Sequence, residues 1–241
     1  MGEDKCFYLP NIWEAFMKKN YTKKLVMLAM FSALAYICVL VIPHIKVQFL
    51  TFDIKDAVIT IAAMIYGPIS GAVISLVVSF MEAITVSTTG PWGFLMNFLS
   101  SAIFACTASV AYRYMPRLKR KLNGAIVGLL LSVVVTTALM MPLNMLITPL
   151  YTGASVEYII QWIPTLLLPF NFIKSLLNAA LVLVLYKPIS TALKKARAID
   201  GNVDNYRFDA TSIVLTAVGG AIVAACVVVF IVFMGGNIKF G

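Results

Sequence analysis

A chain of 241 residues that is 61% hydrophobic and 12% charged carries more apolar surface than a soluble domain can hide, since such domains run at about 25% charged. The net charge of +9 does not point to nucleic acid. Most of the lysines and arginines sit in short clusters between apolar runs, which is the orientation signal of a membrane protein, and such clusters serve as cytoplasmic anchors on anionic head groups.

The first residues, 1–20, are polar, include Pro10 and Trp13, and read as an N-terminal cytoplasmic segment too long for the lead of a signal peptide. Residues 25–42 form the first uncharged span, ended by Pro43. A polar, irregular stretch follows to Asp56. The uncharged run 57–81 is interrupted at Gly67-Pro68, which predicts two helices, about 54–66 and 69–86. The first of these is only about 20 Å long at about 1.5 Å per residue, so it starts below the membrane surface. Residues 87–91 read as a loop, 91–112 as a fourth helix, and 113–121 as a basic loop. The run 123–156 is helical to about Met141 and irregular after Pro142. A sixth helix runs over 164–186, broken only by Lys174, and a basic segment, 187–197, follows it. A polar linker, 198–210, leads to an uncharged seventh span at 211–234.

Orientation fixes the count. Lys18, Lys19, Lys23 and Lys24 hold the N-terminus in the cytoplasm, and the 113–121 cluster belongs there too. An even number of crossings must lie between them, which the split at Gly67-Pro68 supplies. The fold class is an all-α integral membrane protein. The irregular segments 43–53, 87–91 and 142–163 then face outward, and a site open to the outside follows.

The four cysteines, Cys6, Cys38, Cys106 and Cys226, lack metal-ligand spacing, and His44 is the single histidine. No metal site, cofactor site, nucleophile-base pair or Walker A sequence is present. The chain is therefore not read as an enzyme, and transport driven by ATP would need partner subunits.

Lys174 is the sharpest signal. It lies about 16 Å into its helix, where a lysine costs about 2.5–3.5 kcal/mol to insert and must face the bundle or a wet cavity. Asn171, Lys174 and Asn178 share one helix face. That stripe marks a ligand site, or it glues helices with Lys174 paired to Glu82. Glu82 is a ligand contact or that counter-ion. Asn97, beside Trp92, Phe94 and Phe98, reads a ligand or bonds another helix. Asn144 follows Pro142 at the outer end of the fifth helix. Amides with one ammonium and nearby aromatics suit a flat heterocycle bearing carbonyls and ring nitrogens.

Five strings in order then resemble a known family: FLTFDIKD at 49–56, YGPISG at 66–71, TGPWGFLMN at 89–97, NMLITPLY at 144–151, and LPFNFIK at 168–174 with YKP at 186–188. The chain resembles the substrate-binding S components of energy-coupling factor (ECF) vitamin transporters, riboflavin type, over about residues 20–197. The resemblance implies a six-helix binding domain over 21–197 with an external pocket and a lid between helices 1 and 2. It implies that Asn144, Asn171 and Lys174 contact a flavin ring and that Phe52 and Asp53 lie near its ribityl chain. Glu82, Asn97 and Tyr151 complete the candidate set. It also implies a membrane coupling subunit and two ATPases as partners. Ala29 and Ala33 have the small-xxx-small spacing by which that family docks its coupling subunit, and small residues let helices approach closely in lipid; ordinary packing within the bundle is the other reading. The residues at 211–241, with the seventh helix, depart from the six-helix unit.

Three other functions stay open: an S component for another vitamin or heterocycle, a stand-alone transporter coupled to protons through Glu82 and Lys174, and a membrane interaction protein whose seventh helix docks a partner.

Overall fold

The computed structural model describes residues 19–41, 45–47, 50–52, 54–86, 90–116, 122–195, 210–234 and 238–240. Residues 1–18, His44, Asp53, the 87–89 and 117–121 loops and the 196–209 linker lie outside them, as do Cys6 and the N-terminal lysine Lys18.

The chain runs as α1 (Lys19–Val41), a hairpin of β1 (Ile45–Val47) and β2 (Leu50–Phe52), α2 (Lys55–Tyr66), α3 (Pro68–Thr85), α4 (Gly90–Tyr114), α5 (Leu122–Thr152), α6 (Val156–Trp162), a π-helical turn (Ile163–Leu167), α7 (Leu168–Lys195), α8 (Ala210–Met234) and β3 (Ile238–Phe240). Six-helix bundle and added C-terminal helix are both present, as the uncharged runs predict. Five stretches among the described residues are long and apolar enough to cross a membrane: Tyr21–Val41, Pro68–Thr85, Gly90–Tyr114, Leu122–Thr152 and Val156–Lys195.

α2 is the hub. It packs against α1, α3, α4 and α7, and every residue from Lys55 to Met64 is buried. A helix apolar on all sides belongs at a core, and this one, at 12 residues, is too short to cross about 30 Å of hydrocarbon. Its end is set by Gly67, whose φ of 109° is open to glycine and disfavoured for other residues, followed by Pro68 in the first turn of α3, where a missing N–H costs nothing. Outside the hub the helices are two-sided. On α1, Met27, Phe31, Ala35 and Val39 are buried while Leu25, Met30, Leu34 and Leu40 are exposed, as a lipid-facing helix requires.

Four readings need correction. The fifth helix does not become irregular at Pro142: α5 continues to Thr152 with Pro142 and Pro149 inside it. Within a bundle, neighbouring groups satisfy the carbonyls that proline frees. The sixth helix does not start at Pro164 either. Helical structure runs from Val156, and Pro164 sits in the π turn. The segment 142–163 is thus largely helical. Finally, the irregular stretch after α1 contains β1 and β2, antiparallel with Ile45 opposite Phe52, and β3 adds to the other edge of β1 with Ile45 opposite Phe240.

α8 packs on α7. A Cβ on Gly219 would fall 2.6 Å from a methyl of Val184, so the missing side chain permits the approach. Cys226 joins Leu166, Phe170, Ile173 and Leu177, with Leu50 of the hairpin against the same cluster. The described cysteines, Cys38, Cys106 and Cys226, are free thiols.

Candidate ligand site

The first turn of α2 carries the charge. Lys55, Asp56, Glu82 and Lys174 are each no more than 6% exposed, and charges at membrane depth must be paired. Consecutive helical residues point about 100° apart, so Lys55 and Asp56 reach different neighbours. The Lys55 ammonium bonds Glu82 on α3. The other Glu82 oxygen accepts from Asn97 Nδ2 on α4 at 3.1 Å. Asp56 accepts from the Ser101 hydroxyl on α4, and its Oδ2 lies 3.8 Å from Lys174 Nζ on α7.

The same turn is capped by another helix. Ile54, its N-cap residue, makes no side-chain cap bond. The Ala57 N–H, which donates to the Ile54 carbonyl at 3.1 Å, also donates to Asn178 Oδ1 at 3.1 Å, so a donor at the helix start has an acceptor on another helix. Asn178 Nδ2 in turn donates to the Lys174 carbonyl at 3.1 Å.

A second polar set lies on α5. Asn144 is buried; its Nδ2 donates to the Met140 carbonyl at 2.7 Å, and its Oδ1 accepts from Thr148 at 3.1 Å. The Tyr151 hydroxyl reaches Thr148 Oγ1 at 3.5 Å. On α7, Asn171 Nδ2 donates to the Leu167 carbonyl at 2.7 Å, the last residue of the π turn. Pro169 has no N–H to return to Thr165, so the widened turn with Leu168 N–H on the Ile163 carbonyl falls where an α-helical ladder is already broken.

The sequence-derived set thus divides. Glu82, Asn97 and Lys174 join the network on the first turn of α2. Asn144 and Tyr151 belong to the α5 ladder, and Asn171 turns back on its own helix. The counter-ion reading is corrected: Glu82 pairs with Lys55, while Lys174 faces Asp56. Asn97 bonds another helix through Glu82. Phe52 sits in β2, its side chain outside what the structure describes, and Asp53 is outside the described residues. Ala29 and Ala33 are exposed on the outer face of α1. Lys55, Asp56 and Ser101 are participants that sequence reasoning did not select. Their signal was the charged pair Lys55-Asp56 directly before an uncharged run in a helix too short to span. Among the described residues no group of three or more His, Cys, Asp or Glu side chains is placed to hold a metal.

An ammonium, several amides and a hydroxyl in an apolar bundle can hold a polar small molecule by directional hydrogen bonds.

Comparison with known proteins agrees with this architecture. The family model "ECF transporter, substrate-specific component" matches residues 23–189. The riboflavin transporter RibU of Staphylococcus aureus (strain TCH60) is 28% identical over 191 residues, 74% of this chain and 95% of the relative. The riboflavin transporter FmnP of Bacillus subtilis (strain 168) is 26% identical over 188 residues, 73% of this chain and 96% of the relative. A solved structure of the S component of a bacterial ECF transporter superposes with a TM-score of 0.60 at 27% identity, covering 72% of this chain and 98% of that one. α8 and β3 lie beyond the residues that the family model matches. With the match running from α1 into α7 over 23–189, the chain belongs to the substrate-specific components of ECF transporters, a family of multi-pass membrane proteins.

Proposed function

We propose that this protein captures riboflavin from outside the cell and delivers it to an ATP-driven ECF importer. The observation that carries the reading is Lys174, an ammonium held deep in the bundle beside Asn171 on one face of α7. Two similar proteins named riboflavin transporters support the choice of ligand. A flavin ring offers carbonyl oxygens and ring nitrogens, and an ammonium with two amides can serve both kinds. Asn144, Asn171 and Lys174 contact the ring. Phe52 and Asp53 lie toward the ribityl chain, and Glu82, Asn97 and Tyr151 line or brace the pocket.

Lys18 and the lysines in the first turns of α1, Lys19, Lys23 and Lys24, place the N-terminus in the cytoplasm, so that the hairpin opens outward. The chain supplies no nucleotide-binding motif, so a membrane coupling subunit and two ATPase subunits provide the energy. Ala29 and Ala33, exposed on α1, form the face on which the coupling subunit packs. Residues 21–197 form the binding domain, 1–20 and 198–210 are cytoplasmic, and 211–241 is an addition to it.

The visible spectrum of the purified protein tests the ligand. Protein from cells supplied with riboflavin is expected to be yellow and to release flavin on denaturation. Colourless protein that takes up no added riboflavin would overturn the reading.

A further inference from the structure

We infer that Asp56 is the positioning residue for Lys174, so that the first turn of α2 sets where the ligand-facing ammonium sits. The inference rests on the functional reading above for its ligand and on geometry for the pair.

Lys174 is braced at two points by that turn. Its carbonyl accepts from Asn178, which also holds the Ala57 N–H. Its ammonium faces Asp56 Oδ2 at 3.8 Å. That distance is well within Coulombic reach but longer than a charge-assisted hydrogen bond of about 2.7–2.9 Å. At that distance Asp56 Oδ2 acts on the ammonium chiefly by charge.

The acid is itself fixed. Its other oxygen accepts from Ser101, and it lies in a helix buried on every side. Of the two acids among the described residues of this network, Glu82 is engaged by Lys55 and Asn97. Asp56 is the described carboxylate that faces Lys174, and among the described residues the two ammoniums, Lys55 and Lys174, are set against the two carboxylates, Asp56 and Glu82, as ions at membrane depth require.

The competing role for Asp56 is direct contact with the ligand. Three variants of the full-length protein in detergent separate the two: Asp56→Asn, Lys174→Met and the double. Ligand-free melting is read first. Each single variant removes one side of a buried ion pair and is expected to melt about 5–10 °C lower, while the double melts nearer the wild type than either single. Riboflavin affinity is read second. Asp56→Asn is expected to weaken binding about tenfold, and to change it by less than about twofold when Lys174 is already Met.

A double variant that melts below both singles overturns the pairing. An equal fold-loss from Asp56→Asn in both backgrounds overturns the positioning role and makes Asp56 a direct contact. Where a single variant does not accumulate, accumulation of the double is the rescue, and a double that also fails overturns the pairing. Wild-type protein that binds no riboflavin refutes the functional reading and the ligand half of this one. The melts need no ligand, and they distinguish that result from a failure of the pair.

Discussion

Two polar regions of this bundle are built on opposite principles. Around the first turn of α2 two ion pairs and two hydrogen bonds with neutral partners reach three other helices: Lys55 with Glu82 on α3, Asp56 with Lys174 on α7 and Ser101 on α4, and Ala57 with Asn178 on α7. Along α5 the Asn144 partners are neutral and come from one helix, Met140 and Thr148, and the Tyr151 hydroxyl reaches the same Thr148. The first region ties helices together and cannot lose one of its four ions without unbalancing an opposite charge. The second satisfies itself within a turn, and can exchange a local bond for a bond to a ligand. The contrast separates a charged scaffold, which holds Lys174 for its proposed role at the ligand, from a neutral set on α5 that we propose meets the ligand.

The largest expected effect breaks the scaffold. Lys55→Met leaves the Glu82 carboxylate buried with Asn97 as a neutral donor, and loss of one partner of a buried pair costs about 3–5 kcal/mol. Ligand-free melts of the variant should show that loss, and Lys55→Met/Glu82→Leu should recover much of it. A Lys55→Met protein as stable as wild type would erase the distinction between the two regions.

Next comes the cap. Asn178→Leu keeps the volume but removes one of two acceptors of the Ala57 N–H, which keeps the Ile54 carbonyl, so the cost should reach about 1.5 kcal/mol at most. Hydrogen exchange at the Ala57 amide should quicken in the variant. Unchanged protection there would remove Asn178 from the scaffold.

Asn144→Leu sharpens the other side. Its bonds lie within one helix, so ligand-free stability should fall by only about 1 kcal/mol. Riboflavin affinity, measured by quenching of flavin fluorescence, should drop about tenfold or more. A stability loss as large as that of Lys55→Met with little change in affinity would move Asn144 into the scaffold.

The smallest effect on the folded protein belongs to Ala33→Trp. The residue is exposed on α1, so stability should stay within about 0.5 kcal/mol, with riboflavin binding intact. Uptake by cells should nonetheless fall, because a bulky side chain keeps the coupling subunit from close approach. Binding and uptake falling together would argue for packing within the bundle instead.

Much of this architecture was legible before the structure. The runs without charge, the Gly67-Pro68 break and the basic loops locate α1 to α4 and α8 closely, because lipid imposes one rule on every span. The end of α5 and the start of the sixth helical stretch were not legible. Proline reads as a helix stop in water, while Pro142, Pro149 and Pro164 lie inside helical structure here. Lys174 stood out because depth can be counted along a chain. Its partner did not, because Asp56 is distant in sequence and the pairing is tertiary. Lys55 and Asp56 were passed over as the polar edge of a loop, since charges usually sit where a helix meets water. A helix too short to cross places that edge inside the bundle. The hairpin was hidden by strands of three residues each, too short to show an alternation, and its third strand comes from the far end of the chain.

The most direct test of the account is a calorimetric titration of riboflavin into wild-type and Lys174→Met protein under the same conditions. Wild-type protein should bind one flavin, and Lys174→Met should bind it about tenfold to a hundredfold more weakly, as the loss of a charge-assisted hydrogen bond of about 1.5–3 kcal/mol requires. Equal affinity in a well-folded Lys174→Met protein would contradict the assignment of the buried ammonium to the flavin.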